Sequence, residues 1–249
     1  GAHLPCVSNH NLNASKSVAR ALFYPTSRIV PWDHHIIDAG YAARAGRAEA
    51  GKLRVFYAGG LSADKGLGDA LEAVAMLNAQ GLQAQLTVAG AGDPAPWAAQ
   101  AEALGAAEAV TFLGKIPNAT VLAQMNAHDA VLVPSRWEYP EGLPNILYEA
   151  LAARTPLVMS DHPAFAGRLV ADRDCLVFPA ARPDGLAQAL QRLAEDDALF
   201  RALSENAAAA LVRLTFGLFW DALWQKFLDD PTGQSGWVRE NALKALKDR

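Results

Sequence analysis

From residue 53 onward, the chain alternates short apolar runs with stretches of helical periodicity. Strands covered by helices on both faces are apolar along their whole length, so this alternation is typical of a parallel sheet between two helical layers. The predicted strands cover residues 53–58, 85–89, 109–112, 130–133, 157–160 and 175–178. The predicted helices cover residues 66–80, 96–104, 119–126, 145–153, 164–170 and 184–195. We therefore expect an α/β fold with a Rossmann-like, doubly wound parallel sheet, whose ligand crevice lies beyond the carboxyl ends of the strands.

The first part of the chain falls outside this alternation. Residues 11–23 have the pattern of a short helix, and residues 28–32 have that of a short strand. A stretch rich in Gly, Ala and Arg follows from residue 39 to 51 and is typical of a connection. Residues 1–51 are therefore interpreted as the end of an upstream domain together with a linker.

The last part of the chain carries a stripe of aromatic and aliphatic residues at spacings of three and four, which predicts a helix. Its members are Phe216, Phe219, Trp220, Leu223, Trp224 and Phe227. Residues 52–213 would then form the sheet domain, and residues 214–249 would form C-terminal helices. The stripe is expected to pack on the core of the sheet domain or, alternatively, to dock a second domain.

Composition excludes several classes of protein. The 22 basic and 26 acidic residues give a formal charge of −4, and no basic block could follow a phosphodiester backbone, so nucleic acid is not expected as a partner. Cys6 and Cys175 lie far apart and form no CxxC pair, which argues against a disulfide framework and favours a reducing cytoplasm. Neither a transmembrane segment nor a signal peptide is predicted, because no apolar stretch approaches the ~20 residues that span a bilayer.

Two carboxylates flank the helix start predicted after the fourth strand. Glu141 lies in the loop that follows the strand, and Glu149 lies about one turn into the helix. Pro144 suits the first position of a helix, and the free backbone N–H groups there attract anions. This arrangement suits a ligand that has both phosphate and sugar hydroxyl groups, although the same spacing also occurs on helix faces that are simply solvated.

Two glycine-rich loops follow the first and second strands. The first, residues 59–66, would let the backbone approach a ligand and would place the ammonium of Lys65 beside a phosphate; the alternative is a flexible turn with a solvated lysine. The second, residues 90–95, fits the looser G-x-G-x-x-A dinucleotide fingerprint. Nicotinamide or flavin binding is the weaker hypothesis, because Pro94 and Pro96 occupy a turn whose N–H groups should hold pyrophosphate.

Taken in order, these segments resemble a known family. The chain contains strand-G-G-L-S-x-D-K-G-helix, strand-G-x-G-D, F-L-G-K-I-P, V-P-S-R-W…E-G-L-P-N-I-L-Y-E-A and P-L-V-M-S-D. Their order and spacing are similar to those of the nucleotide-sugar-binding half of the family-4 glycosyltransferases, which are retaining enzymes with the GT-B fold. The resemblance covers about residues 29–227, and Glu141 and Glu149 reproduce the E-x7-E spacing of that family.

The resemblance implies roles for the charged residues. Lys65 would neutralise the donor diphosphate, and Glu141 would lie near the donor sugar and the positive charge that develops at its anomeric carbon. These two are the predicted catalytic residues. Glu149 would accept hydrogen bonds from the ribose hydroxyls, since a carboxylate offers two good acceptor oxygens. Glu138 is a nearby rival of Glu141, but it does not keep the spacing.

The resemblance also implies a set of substrate-binding positions, which are held through backbone or side-chain groups. Besides Glu149, they are Gly59, Gly60, Gly90, Gly114, Lys115, Ile116, Arg136, Gly142, Leu143 and Asn145. Residues 114–116 fall where the family holds the nucleotide base. Residues 142–145 fall at the helix start that receives phosphate and sugar oxygens.

Two positions depart from the family pattern. Gly60 stands where the family usually has an arginine that holds the diphosphate together with the lysine, a charge-assisted bond worth about 1.5–3 kcal/mol. Arg136 could replace that cation, or the affinity for the donor is low. Arg168 stands near a position where the family often has a glutamate.

A GT-B enzyme has two Rossmann-like domains, and the resemblance covers one of them. The implied reaction is transfer of a hexosyl group from a UDP- or GDP-hexose, with retention, to a glycan, lipid or small-molecule acceptor bound by a domain that would precede residue 1. The chain alone is then expected to bind the nucleotide sugar and to transfer it poorly or not at all. A cytoplasmic location is expected, with peripheral contact at the inner face of the membrane as an option.

Neither a metal nor another cofactor is expected, because no DxD element lies in a suitable loop. Residues 33–35, Asp-His-His, are the nearest metal-binding candidate and are interpreted as ordinary polar residues. His128 has the same interpretation, as do Asp161 and His162, although these two follow a strand and could line the crevice. The alternatives that remain are a GT-B epimerase or phosphorylase half and a non-catalytic nucleotide-sugar-binding module, the latter favoured by Gly60.

Overall fold

The structure is a computed structural model and describes residues 6–10, 12–33, 40–165, 167–215 and 217–246. Its strands are β1 (Val7–His10), β2 (Ile29–Trp32), β3 (Lys52–Ala58), β4 (Gln83–Ala89), β5 (Val110–Gly114), β6 (Ala130–Val133), β7 (Leu157–Ser160) and β8 (Leu176–Phe178). Its α-helices are α1 (Leu12–Ala21), α2 (Leu67–Ala79), α3 (Ala95–Ala103), α4 (Asn118–Ala127), α5 (Asn145–Ala152), α6 (Pro183–Glu195), α7 (Asp197–Leu214), α8 (Trp220–Asp229) and α9 (Trp237–Asn241).

The chain divides into two units. The larger unit comprises residues 37–211, and the smaller comprises residues 1–36 together with residues 212–249. The described residues 40–51, which were interpreted as linker, group with the larger unit.

The larger unit is built on one sheet of six strands in the order β5-β4-β3-β6-β7-β8, in which every neighbouring pair is parallel. This is the strand order of a doubly wound Rossmann sheet. The order reverses between β3 and β6, so the loops that follow these two strands leave the sheet side by side. Ligands of such folds bind at this switch point, which makes these two loops the first place to look for a site.

Burial explains why the sheet forms from these segments. All four residues of β6 and all four of β7 are buried, as their uninterrupted apolar sequences require. One core cluster joins the sheet to α2 and α6, with Leu71 and Leu190 fully buried in it. Helix α5 buries its apolar residues as well, including Leu147 and Tyr148 at 0% exposure.

The smaller unit contains the parallel pair β1 and β2. Its core joins Val30 of β2 to Leu223 of α8 and to Trp237 of α9. Along α8, Trp220 and Trp224 contact each other edge to face with their ring centroids 5.3 Å apart, and both rings are partly exposed. The predicted aromatic-rich helix is therefore present, whereas Phe216 at the start of the stripe lies outside the described residues.

The predicted α/β fold is confirmed, and each of the six predicted strands is present with ends that differ by at most two residues. The helix predicted at residues 164–170 is wrong. The described residues of that segment form turns, with Arg168 N–H donating to Phe165 O at 3.1 Å and Gly167 at a φ of +71°. Strand β1 was not predicted, and α7 was not among the predicted helices.

Candidate active site

The loops after β3 and β6 are packed against each other at the switch point. The N–H of Arg136 donates to the carbonyl of Asp64 at 2.8 Å. Gly66 has a φ of +73°, and a Cβ at this position would lie 2.0 Å from the carbonyl oxygen of Pro134. Only glycine allows both this backbone conformation and this approach, so Gly66 is what lets the two loops meet.

The two predicted catalytic residues meet in these loops. Lys65 Nζ lies 2.5 Å from Glu141 Oε2, and their side chains are only 18% and 8% exposed. Ser135 Oγ donates to the same carboxylate oxygen at 2.9 Å. Lys65 Nζ also lies 4.1 Å from the centroid of the Tyr139 ring, within range of a cation–π contact. The loops thus bring one ammonium and one carboxylate into a shielded ion pair, whereas the rival Glu138 is exposed.

Glu149 lies on α5, the helix that follows the loop carrying Glu141. Its side chain is partly buried, and among the described residues it has no hydrogen bond or ion pair. Burial raises the pKa of this carboxyl group above its ordinary value. A desolvated acceptor of this kind would gain from hydrogen bonds donated by ligand hydroxyls.

The start of α5 is open to a ligand. Pro144 precedes it in an extended conformation, and no side chain caps the helix. Of the predicted substrate-binding residues here, Gly142 and Asn145 are exposed, whereas Leu143 is buried. The first N–H groups of an uncapped helix carry a partial positive charge, so this helix start can accept phosphate or sugar oxygens.

Arg136 is engaged elsewhere. Its guanidinium donates to both carboxylate oxygens of Asp69 in the first turn of α2, with Nε to Oδ2 at 2.9 Å and Nη2 to Oδ1 at 2.6 Å. Asp69 is 2% exposed. The hydrogen bonds to Asp69 raise the pKa of Arg136 further above its ordinary value. A bidentate pair with a buried carboxylate holds the guanidinium in place, so a phosphate would have to compete for it.

A continuous layer is formed by Gly59 after β3, Gly90 after β4 and Gly114 at the end of β5. Gly59 N–H donates to Ala89 O at 2.9 Å, and Gly90 N–H donates to Gly114 O at 2.9 Å. A Cβ on Gly90 would lie 1.6 Å from the carbonyl oxygen of Gly59. The G-x-G sequence that suggested a dinucleotide fingerprint therefore has a packing role between neighbouring loops.

The remaining predicted positions lie around this layer. Gly60 is exposed, and its carbonyl accepts a hydrogen bond from the Tyr57 hydroxyl at 2.6 Å. Gly114 ends β5, the edge strand of the sheet, and Lys115 follows it; both residues are exposed, and Ile116 is partly buried. Arg168, the second departure from the family pattern, lies in the turn-forming segment after β7.

Sequence reasoning missed Ser135, Tyr139 and Asp69. Ser135 and Tyr139 lie in the same motif as Glu141, and this proximity in sequence could have indicated that they belong to the site. Asp69 carried no signal, because nothing in a sequence pairs a residue of α2 with Arg136.

Of the candidate metal ligands, the structure describes Asp33, His128, Asp161 and His162. Within the part of the chain that the structure describes, no three His, Cys, Asp or Glu side chains are grouped so that they could hold a metal ion. His34 and His35 lie outside the described residues. His128 is held by the carbonyl of Gln124 and the hydroxyl of Thr87. None of the described helices is both long and apolar enough to cross a membrane.

The doubly wound sheet carries an ion pair and an open helix start at its switch point, where ligands of such folds bind. Residues 43–210 match the family described as glycosyl transferases group 1, and the chain belongs to this family. The chain is 32% identical over 191 residues to glycogen synthase of Mycobacterium tuberculosis, covering 75% of this chain and 44% of that protein. It is 31% identical over 156 residues to α-D-kanosaminyltransferase of Streptomyces kanamyceticus, covering 62% of this chain and 39% of that protein. The chain thus spans less than half the length of these curated relatives.

Solved structures show the same fold. Sucrose-phosphate synthase of Thermosynechococcus elongatus superposes with a TM-score of 0.71 and 22% identity, covering 90% of this chain and 57% of that chain. HepE of Anabaena, solved in complex with UDP, superposes with a TM-score of 0.70 and 17% identity, covering 90% of this chain and 63% of that chain.

Proposed function

We propose that this chain is the nucleotide-sugar-binding half of a retaining, family-4 hexosyltransferase that uses UDP- or GDP-hexose as donor. The observation that carries the proposal is the Lys65–Glu141 ion pair at the switch point, beside the uncapped start of α5. A diphosphate has the charge to take Lys65 from Glu141, and the released carboxylate then faces the sugar. The complex of HepE with UDP supports a nucleotide donor.

The proposed reaction divides the charges between these groups. The bond between the anomeric carbon and the diphosphate oxygen breaks, and the diphosphate leaves with the electron pair. Lys65 and the N–H groups of α5 stabilise the leaving group, while Glu141 stabilises the positive charge on the sugar. An acceptor hydroxyl oxygen forms the new bond on the same face, which gives retention, and its proton passes to the departing diphosphate oxygen. The positive charge comes from the protein, so we propose no metal or other cofactor.

Acceptor binding belongs to a second domain in this proposal, since GT-B enzymes react in a cleft between two domains. The acceptor would be a glycan, a lipid or a small molecule. The names of two relatives contain a glycan and a lipid: glycogen synthase and the phosphatidyl-myo-inositol mannosyltransferase of Mycolicibacterium smegmatis. Both cysteines are free thiols, which suits the proposed cytoplasmic location; contact with the inner face of the membrane would accompany a lipid acceptor.

The direct test is calorimetric titration of this chain with UDP, GDP, ADP and their hexose derivatives. One nucleotide series should bind, and Lys65→Met should weaken it by roughly tenfold to a hundredfold, as expected for loss of a charge-assisted bond. Lys52→Met is the matched control, because Lys52 begins the strand that Lys65 follows and pairs with Glu49 at the opposite end. Equal binding by the two variants, or no binding by the unchanged chain, would contradict the proposal.

A polypeptide that carries both domains then tests the reaction. It should transfer a hexosyl group, and NMR of the product should show the anomeric configuration of the donor. Gly60 favours one rival, a non-catalytic binding module, because the second phosphate cation of the family is absent there. Nucleotide-sugar binding without transfer by the two-domain polypeptide would establish that rival.

A further inference from the structure

The loop that carries Glu141 is held by the segment that ends β7. Three consecutive residues of this segment each bond to one of three alternate residues of the loop. The bonds are Ser160 Oγ to Ser135 O at 2.6 Å, Trp137 Nε1 to Asp161 Oδ1 at 2.8 Å, and His162 Nε2 to Tyr139 O at 3.0 Å. An extended segment thus fixes both the beginning and the middle of the loop.

The fixed residues are the ones that reach the ion pair. Ser135 Oγ donates to Glu141, and the Tyr139 ring lies under the ammonium of Lys65. The carbonyl of Tyr139 accepts from His162 and also from the N–H of Glu141, at 2.7 Å. His162 therefore contacts the same carbonyl group that forms the turn leading to Glu141.

The surroundings of His162 fix its tautomer. The ring is 5% exposed, and its Nδ1 accepts a hydrogen bond from the N–H of Ala164 at 3.1 Å. Because Nδ1 is the acceptor, Nε2 carries the proton and donates it to the carbonyl of Tyr139. Phe165 packs against the imidazole at 5.1 Å between ring centroids. The ring is thereby oriented from both of its nitrogens and from one face.

Asp161 is fixed in a similar way. Its Oδ1 accepts from the N–H of Ala180 at 2.8 Å as well as from the indole of Trp137. The N–H of Asp161 donates to Phe178 O at 2.9 Å at the end of β8. The segment after β7 is therefore anchored to the sheet before it contacts the loop.

We propose that Ser160, Asp161 and His162 are positioning residues of the donor site, with His162 the principal one. They hold the loop so that Glu141 and Tyr139 meet Lys65 before a donor arrives. The effect of these residues on donor binding rests on the proposed function, whereas their effect on the order of the loop does not. A loop ordered in advance spares the donor the cost of ordering it.

Two substitutions at His162 distinguish the roles of its two ring nitrogens. His162→Gln keeps an amide N–H that can reach the Tyr139 carbonyl, and His162→Asn keeps an acceptor for the N–H of Ala164 but cannot reach Tyr139. Amide hydrogen exchange of the segment 135–143 should rise about tenfold in the Asn variant and stay near the unchanged protein in the Gln variant. With UDP-glucose and GDP-mannose as probes, affinity should fall about tenfold in the Asn variant alone.

Trp137→Phe provides a third variant that leaves the buried imidazole of His162 unchanged. Trp137 is 61% exposed, so the substitution should not disturb the core. It removes only the bond to Asp161 and should raise exchange in the same segment by a smaller factor. Equal exchange by the Asn and Gln variants, together with no change in Trp137→Phe, would overturn the positioning role whether or not a nucleotide binds. Failure of the unchanged chain to bind either probe would instead contradict the proposed function, and the exchange comparison would still decide the positioning role.

Discussion

At the scale of single residues, the main feature of the site is that its two opposite charges neutralise each other. Lys65 and Glu141 are both largely shielded from water, and a charge so shielded is costly to leave without a partner. Glu141 makes its contacts through Oε2; its other carboxylate oxygen has no hydrogen bond among the described residues. In the proposed function, an incoming donor would therefore exchange one partner of Lys65 for another.

Glu141→Gln should separate binding from catalysis. Removing the carboxylate charge leaves Lys65 available, so UDP or GDP without sugar is expected to bind as well as before or up to about tenfold more tightly. Transfer by the two-domain polypeptide should be lost at the same time. Calorimetry and a transfer assay would measure these two effects.

The matched control is Glu138→Gln, which changes an exposed carboxylate in the same loop and should alter neither quantity. If Glu141→Gln weakened nucleotide binding as much as Lys65→Met does, Glu141 would belong to nucleotide binding itself.

Glu149→Gln should stabilise the free protein at neutral pH and weaken nucleotide binding. Burial raises the pKa of Glu149 above its ordinary value of 4.5, so the folded protein binds more protons than the unfolded chain above that pH. The contribution of Glu149 to the free energy of unfolding therefore falls as pH rises from 4.5 through its raised folded pKa. The Gln variant should lack that fall. Urea denaturation between pH 4 and pH 7 would measure it.

The exposed Glu205 on α7 offers the comparison substitution, Glu205→Gln, which should reproduce the profile of the unchanged chain. A Glu149→Gln variant that was less stable at pH 7 would show that the carboxylate has a structural partner.

At the scale of elements, the close approach of two loops depends on one backbone conformation. Gly66→Ala would place a methyl group 2.0 Å from Pro134 O in addition to imposing a left-handed conformation on alanine. We expect it to cost at least about 3 kcal/mol of stability, as backbone strain and overpacking combine. Urea denaturation measures the loss, and nucleotide binding should fall with it.

Gly105→Ala separates the two causes. Gly105 has a φ of +68°, but a Cβ there would meet nothing within 4 Å. Its cost should be about 1 kcal/mol, the conformational penalty alone. Similar losses in the two variants would mean that the loops can move apart without harm.

Strands β6 and β7 could be predicted because buried parallel strands leave uninterrupted apolar runs. The helix expected at residues 164–170 could not be distinguished from turns by its apolar residues, since Phe165 and Leu169 are buried in turns just as helical residues would be. Gly167, at positive φ, was the sign of a turn.

The site was predictable to the level of the loops but not to the level of the contacts. Lys65 and Glu141 were found because they follow strands whose carboxyl ends define the crevice. Their ion pair, and the pair of Arg136 with Asp69, depend on side-chain positions in three dimensions, which spacing along the chain does not encode.

At the scale of the whole molecule, one buried carboxylate ties the connection before the sheet to the sheet itself. Asp129, which immediately precedes β6, accepts hydrogen bonds from Arg54 of β3 and from Arg44 of the connection. Its side chain is 1% exposed. Burial alone would raise the pKa of Asp129, but the hydrogen bonds from Arg54 and Arg44 outweigh it and hold the pKa below 3.8.

Asp129→Asn should destabilise the larger unit by about 3–5 kcal/mol, because two arginines lose their buried partner. The pKa is lowered by folding, so this stabilisation is present above pH 3.8 and is lost as pH falls through the lower folded value. The variant should therefore show a flatter loss of stability in acid, as measured by denaturation from pH 6 downward.

Asp184→Asn, at an exposed pair with Arg182, is the control and should leave stability nearly unchanged. Comparable losses in the two variants would place the effect outside the buried cluster.

The smaller unit exposes part of its aromatic stripe. Trp220 and Trp224 of α8 are 43% and 44% exposed, although Leu223 between them is buried. Both sequence-based expectations for this stripe, packing on the core of the sheet domain and, alternatively, docking a second domain, stay predictions.

The Lys65–Glu141 pair also affects which anions the free site selects. Paired charges produce a weak field at a distance, so a donor would not be drawn in by long-range attraction, and its association rate should depend little on ionic strength. Inorganic phosphate would have to displace a carboxylate while offering no sugar or ribose contacts in return. A site that stays neutral until a complete donor arrives would discriminate against the abundant simple anions of the cell.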